Sequence, residues 1–189
     1  MRRAGAFFLM LLAWTFIAAA VQPSGRALAE TDRENMIYLD LEYGRVKIRL
    51  RPDLAPNHVA RIKELTRQGF YDGLPFHRVI EGFMAQTGDP NRNGTGGSGQ
   101  KLKAEFSDAK HVRGVVSMAR AQDVDSADSQ FFIVLDDAPW LDGQYTIWGE
   151  VVEGMEFVDM IKKGDPSRNG VVIDPDEIVK MSVAADVDE

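Results

Sequence analysis

Residues Ile37-Tyr38-Leu39-Asp40-Leu41-Glu42-Tyr43 and Val46-Lys47-Ile48-Arg49-Leu50 alternate apolar and polar side chains on either side of Gly44. A period of two predicts an antiparallel hairpin with one buried face, and it commits the chain to burying a sheet. Further strands are predicted at Val115-Val116-Ser117-Met118, Phe131-Phe132-Ile133-Val134-Leu135, Thr146-Ile147-Trp148 and Ile178-Val179-Lys180-Met181-Ser182-Val183. Two amphipathic helices fit between them. One runs Pro56 to Gln68, with Val59, Ile62 and Leu65 on one face and Gly69 as a stop. The other runs Met155 to Lys163 and closes on Gly164. Two helices are too few to cross over a parallel sheet, so an antiparallel barrel carrying two helices is the expected closure. There is no fixed-period repeat and no long linker, and Ala184 to Glu189 reads as a solvated acidic tail.

The first 29 residues are a separate object. Arg2 and Arg3 precede an apolar run from Phe7 to Val21, and Ala27-Leu28-Ala29 supplies an A-x-A cleavage site. This is the layout of a secretory signal peptide, and an uncleaved N-terminal anchor is the alternative. The expected mature protein is a single domain from residue 30 to 189. Losing Arg2, Arg3 and Arg26 from the 22 basic residues leaves 19 against 29 acidic ones, a formal net charge of −10. Such a charge argues against a nucleic-acid partner. The absence of cysteine excludes disulfides, thiolate metal sites and cysteine nucleophiles.

Among chemistry-bearing groups, His58, His77 and His111 show no metal-ligand spacing, and no serine sits in a G-x-S-x-G elbow. Gly94, Gly96 and Gly99 match G-x-G-x-x-G formally. They follow Asp89-Pro90-Asn91-Arg92-Asn93 rather than a strand, so a tight loop that lets backbone approach something closely is the better reading. The informative stretch is Phe76-His77-Arg78-Val79-Ile80-Glu81-Gly82-Phe83-Met84-Ala85-Gln86-Thr87-Gly88-Asp89. Read as a strand, it sets one guanidinium and one primary amide beside large apolar side chains. If they share a face, the result is an apolar pocket with a fixed cationic donor on its rim. The plainer alternative is a surface arginine beside core residues.

That stretch closely resembles the F-H-R-x-I-x-x-F-M-x-Q-x-G-D signature of the cyclophilins, a family of peptidyl-prolyl cis-trans isomerases. Three more blocks keep the family's order: the 94–99 glycine loop leading to Glu105-Phe106; Ser117-Met118-Ala119-Arg120-Ala121 leading to Ser129-Gln130-Phe131-Phe132-Ile133; and Trp140-Leu141-Asp142-Gly143. The similarity spans about Met36 to Val183, and with the leader it resembles the exported, periplasmic members from bacteria.

The resemblance implies a mainly β fold, a closed eight-stranded antiparallel barrel capped by two helices. It makes Arg78 the catalytic group and Phe83, Met84, Phe132 and Leu141 the proline pocket. Gln86 and Gln130 would hold Arg78 and the substrate backbone; Ala119, Arg120 and Ala121 would bind residues before the proline; His77, Trp140 and Tyr145 would line the groove. No cofactor and no metal are implied. The partners expected are proline-containing segments of exported proteins, with cyclosporin-type inhibitors bound at Trp140, and the chain is expected to act as a monomer. Arg120 and Tyr145 depart from the Asn and His usual in animal members, and Val124 and Asp128 leave the shape of the 122–128 loop open. The rival reading is a proline-peptide-binding chaperone or assembly module with incidental isomerase activity.

Overall fold

The computed structural model describes residues 32–188; the leader expected at residues 1–29 lies outside them. Among these residues are eight strands: β1 Met36–Leu41, β2 Gly44–Leu50, β3 Arg78–Ile80, β4 Met84–Thr87, β5 Val115–Met118, β6 Phe131–Val134, β7 Ile147–Glu153 and β8 Lys180–Val183. Two α-helices, α1 Pro56–Arg67 and α2 Met155–Met160, accompany them. The strands form one curled sheet in the order β3-β4-β6-β5-β7-β2-β1-β8, and every ladder is antiparallel.

The expected closed barrel is realised in part, because no ladder joins the two end strands, β3 and β8. Pairing there is confined to isolated bridges, Pro75 with Glu177 and Arg78 with Val171, and Pro75 has no N–H to donate to a ladder. Single contacts cross the gap instead. Gly73 N–H donates to Ile178 O at 2.7 Å, Ile178 N–H to Leu74 O at 2.9 Å and Phe76 N–H to Asp176 O at 2.9 Å. Further along the seam a tight turn at 164–171 lies against β3: Val79 N–H donates to Gly170 O at 2.8 Å and Gly164 N–H to Val79 O at 2.9 Å.

The sheet buries both faces where the site lies. On the inner face Val79, Ala85, Val116, Phe131, Ile133 and Trp148 join α1 residues Val59, Ile62 and Leu65 in the main core. Phe131 meets Tyr71 and Trp148 edge-on at 5.5 and 5.3 Å between centroids. On the outer face Met84, Val115, Phe132, Val134, Leu141 and Ile147 form a second, smaller apolar cluster. Side chains alternate across a strand, so neighbouring residues of β4 and β6 serve opposite clusters. This is why the run Phe131–Leu135 is apolar throughout.

Several boundaries differ from expectation. Residues 76–89 are a hairpin rather than one strand: β3 ends at Ile80, the chain turns through Gly82 at φ +68°, and β4 begins at Met84. Helix α2 stops at Met160, with Ile161 already extended, so Gly164 caps nothing. Gly164 is small for another reason: a Cβ there would lie 1.9 Å from Gly170 O. Strand β7 runs on to Glu153, and β8 starts only at Lys180. The tail is docked rather than solvated, with Ala184 buried, Arg33 donating to Ala184 O and Arg67 paired with Asp186 at 2.8 Å.

Candidate functional site

The register brings the predicted residues into one row. Arg78 on β3 pairs with Gln86 on β4, Gln86 with Phe132 on β6, and Phe132 with Ser117 on β5. Directly opposed residues project from the same face, so Arg78, Gln86 and Phe132 stand side by side. Met84, two residues before Gln86, shares their face. Leu141 enters from a 3-10 turn at Pro139–Leu141. With Phe83, Ala119, Arg120 and Tyr145 these residues enclose a cavity of about 120 Å³. Its wall is Phe132 with Tyr145 edge-on at 5.9 Å, and Phe83 lies against the exposed Trp140 at 5.5 Å.

Arg78 has a half-buried guanidinium, whose pKa burial pushes below its ordinary value; it still stays charged at any working pH. Nη1 donates to Gln86 Oε1 at 3.1 Å, Nε to Asn169 O at 3.0 Å and Nη2 to Asn169 Oδ1 at 3.1 Å. Oxygen acceptors therefore take three of the five N–H donors a guanidinium carries. The two that remain are on the terminal nitrogens, and Nη1 also faces Met84 Sδ at 3.8 Å, a weak acceptor.

An arginine only donates, so each partner behind it has a determined orientation. Gln86 must present Oε1 to Arg78, which turns its Nε2 to Gln130 Oε1 at 2.9 Å. Gln130 Nε2 then donates to Gly96 O at 2.8 Å and Gly94 O at 3.1 Å. The amides of the same loop point the other way. Asp89, fully buried, accepts from Asn91 N and Gly96 N on Oδ1 (2.8 and 2.9 Å), and from Asn93 N (2.9 Å) and Gly94 N on Oδ2. Burial works against ionisation of Asp89, but these backbone N–H groups outweigh it and hold its carboxyl below the usual range. Asp128 grips the other end of the loop through Ser98 N at 2.6 Å and Gly99 N at 3.0 Å. What the glycines approach is thus the chain's own carboxylates: a Cβ on Gly96 would sit 2.2 Å from Asp89 Oδ1, and one on Gly97 2.6 Å from Asp128 Oδ2.

The other predicted residues divide. Ala121 and Gln130 line a neighbouring cavity of about 280 Å³, bounded also by the glycine loop, Lys101 and Asp128. Gln86, Ala119 and Arg120 are common to both cavities. Arg120 clasps Gln144 O at 3.1 Å and Ala121 O at 2.9 Å and lies over the Tyr145 ring at 4.6 Å, strapping one wall to the other. His77 is buried and stands apart from the apolar cavity. It lines a third hollow of about 520 Å³ beyond Arg78, together with Asn93 and Asn169. Burial pushes its pKa down, which favours the neutral imidazole.

Two features escaped the sequence reading. Asn169 reaches Arg78 across 91 residues, and its one local signal is the Asn169-Gly170 turn pair. Behind Phe132, His111 Nδ1 lies 3.2 Å from Asp142 Oδ1 and Nε2 lies 3.1 Å from Ser117 Oγ, with the imidazole stacked on the phenyl at 6.4 Å. The arrangement has the outline of a nucleophilic triad, yet Ser117 is fully buried and donates to Thr146 O at 2.9 Å. It is a brace for the cavity wall.

An apolar cavity with an oriented donor at its rim suits a small apolar ring flanked by peptide groups, and the comparisons point to the same class. The profile of the family described as cyclophilin type peptidyl-prolyl cis-trans isomerase/CLD matches residues 36–183. A probable peptidyl-prolyl cis-trans isomerase of Brucella suis is 52% identical over 188 residues, covering 93% of this chain and 95% of the relative. Peptidyl-prolyl cis-trans isomerase B of Bacillus subtilis is 44% identical over 131 residues, 68% of this chain and 91% of its own. The crystal structure of a Cryptosporidium parvum cyclophilin, in the presence of the dipeptide Ala-Pro, superposes with a TM-score of 0.72 at 29% identity, covering 78% of this chain and 98% of that one. The chain belongs to the cyclophilin-type peptidyl-prolyl cis-trans isomerases and is an isomerase of that class.

Proposed function

We propose that Arg78 is the catalytic group and that the 120 Å³ cavity of Phe83, Met84, Phe132 and Leu141 holds the proline ring of the substrate. The carrying observation is that the guanidinium is fixed by three oxygen acceptors, while of its two other N–H groups the one on Nη1 meets only the weak acceptor Met84 Sδ, a residue of the cavity wall, and the one on Nη2 has no acceptor among the described residues.

An X–Pro bond turns slowly because amide resonance sets a barrier of roughly 18–20 kcal/mol. As the bond twists, the proline nitrogen loses that delocalisation and becomes pyramidal, with a lone pair available. A donor placed at that nitrogen binds the twisted state more strongly than either planar one, and this difference lowers the barrier. No bond is broken and no proton need be transferred, which suits a group that never gives one up. The cavity holds the ring while the preceding carbonyl swings, and exclusion of water by Phe83, Phe132 and Tyr145 strengthens the charge-assisted contact. Ala119, Arg120, Ala121, Gln86, Gln130, Trp140 and, at the far end, His77 form the groove walls along which the flanking peptide lies.

In this reading the substrates are exported proteins whose folding waits on X–Pro isomers, and the protein works as a monomer in the periplasm. The support is the leader-like sequence of residues 1–29. Cyclosporin-type inhibitors would occupy the same cavity beside Trp140. The single contacts of residues 73–76 with 176–178 support a closed barrel in which the seam segment takes the place of a ladder.

The test is the cis-to-trans rate of a short Ala-Pro-Phe peptide with the parent and with Arg78→Ala, folding checked for both. The expected outcome is strong catalysis by the parent and a loss of about a hundredfold or more in the variant, as for removal of one oriented donor. A folded R78A variant that keeps the parental rate overturns the assignment of Arg78. Export is read separately, by whether the protein recovered from the periplasmic fraction begins at Glu30.

A further inference from the structure

We infer that Asn169 is a positioning residue for the isomerase reaction, and that the seam turn at 164–171, which belongs to no strand, sets the direction in which the Arg78 guanidinium points. The inference rests on Arg78 being the catalytic group.

Three independent features of the turn converge on this. First, Asn169 grips the guanidinium twice, through its main-chain carbonyl on Nε at 3.0 Å and its side-chain oxygen on Nη2 at 3.1 Å. Gln86 holds only Nη1. One acceptor leaves a planar fork free to pivot about a single bond, whereas acceptors on Nε and both terminal nitrogens fix its plane. The two N–H groups left over then point in determined directions.

Second, the backbone is shaped to make the double grip. Asn169 has φ +57°, in the left-handed region that asparagine tolerates better than most residues, and Gly170 follows at φ +78°. Asp165 begins the turn, its side chain accepting from Ser167 N at 2.8 Å, and Gly170 N–H donates to Asp165 O at 2.9 Å. Third, the turn is pressed onto β3 at the level of Arg78. Val171 bridges to Arg78, Gly170 O accepts from Val79 N, and a Cβ on Gly170 would meet Ile80 Cγ1 at 2.4 Å. The turn can approach closely enough for Asn169 to reach Arg78 only because position 170 lacks a side chain.

Asn169 lines the hollow beyond Arg78 and not the apolar cavity. It acts through Arg78, so its removal should lower kcat and leave peptide KM nearly unchanged. Asn169→Gly is the informative variant, because glycine keeps the left-handed backbone and the main-chain acceptor while deleting Oδ1. The expected loss in kcat is about five- to tenfold, the worth of one ordinary intramolecular hydrogen bond.

The experiment is a double-mutant cycle on the full chain: parent, N169G, R78A and the double variant, with kcat, KM and the thermal midpoint measured for each. The N169G loss should vanish in the R78A background, since there is no guanidinium left to aim. The thermal midpoints separate a loss of aim from a loss of fold. The proposal is overturned if N169G matches the parent or if its loss persists undiminished in the R78A background. An R78A variant as active as the parent would instead remove the assignment of Arg78 on which the inference stands.

Discussion

Asp89 touches no part of the cavity, yet its buried carboxylate determines how Arg78 is presented. Four loop N–H groups converge on it, the carbonyls of the same loop take Gln130, Gln130 takes Gln86, and Gln86 takes Arg78. Reversing any one amide would put donor against donor further along. Asp89→Asn exchanges one acceptor oxygen for an N–H₂ aimed at backbone donors. It should cost about 3 kcal/mol of stability, the upper end for hydrogen bonds to a charged group, and lower kcat as the 94–99 loop rearranges; denaturant unfolding and the peptide assay read the two effects. The sign with pH follows from the lowered carboxyl pKa. The stability Asp89 supplies is complete above the unfolded-state value of about 3.9 and is lost as pH falls through the lower folded-state value. The N–H···carboxylate grip also identifies what the glycine loop approaches, which the tight-loop reading of the motif left open. The local sequence says that backbone must come close to something, but Asp128 lies some thirty residues from the amides it holds, beyond the reach of any short pattern.

Single elements were legible in proportion to how much of their stabilisation is local. Helix α1 carries its own stripe of Val59, Ile62 and Leu65, and β1 and β2 carry their own alternation, so all three elements fall within a residue or two of where periodicity places them. The grouping of Arg78, Gln86 and Phe132 was legible only through the family resemblance; residue pattern left it open whether Arg78 and Gln86 share a face, and cross-strand pairing, not a single strand, is what aligns them. The hairpin in 76–89 was not legible, since its turn at Gly82 interrupts an otherwise apolar run, and α2 was overextended because Ile161 is buried as a helical reading demands but in extended backbone. The 164–171 turn had almost no signature beyond Asn169-Gly170, because its shape is imposed by docking on β3. That dependence can be tested at Gly170. Alanine there would take up a left-handed φ and crowd Ile80 and Val79 O. Strain and overpacking together should cost about 2–4 kcal/mol. Catalysis should fall further than folding does, because Asn169 moves with the turn. A G170A variant with a lowered thermal midpoint but unchanged kcat would show that the turn holds the seam without aiming Arg78.

For the whole molecule the governing quantity is charge. With 19 basic and 29 acidic residues from Glu30 onward, the domain carries a negative field that polypeptides meet before they meet the groove. Many of its cations are already neutralised locally: Arg45 by Asp40, Arg51 by Asp53, Arg67 by Glu34 and Asp186, Arg113 by Asp159. Such exposed pairs contribute little to stability, but they leave the unmatched carboxylates to set the long-range potential. The cavity rim itself carries Arg78 and Arg120, so on the proposed function a basic substrate is drawn in by the surface and then met by cationic donors. Encounter and chemistry thus respond to opposite charges, and they separate in a salt titration. Proline peptides flanked by lysine should show a higher kcat/KM than glutamate-flanked ones at low ionic strength. The advantage should shrink towards unity near 1 M salt, where the screening length falls to about 3 Å, while kcat at saturating peptide stays constant for both. An advantage that survives high salt would place the discrimination in direct contacts within the groove, with Lys101 and Asp128 in the 280 Å³ cavity as the first charges to exchange.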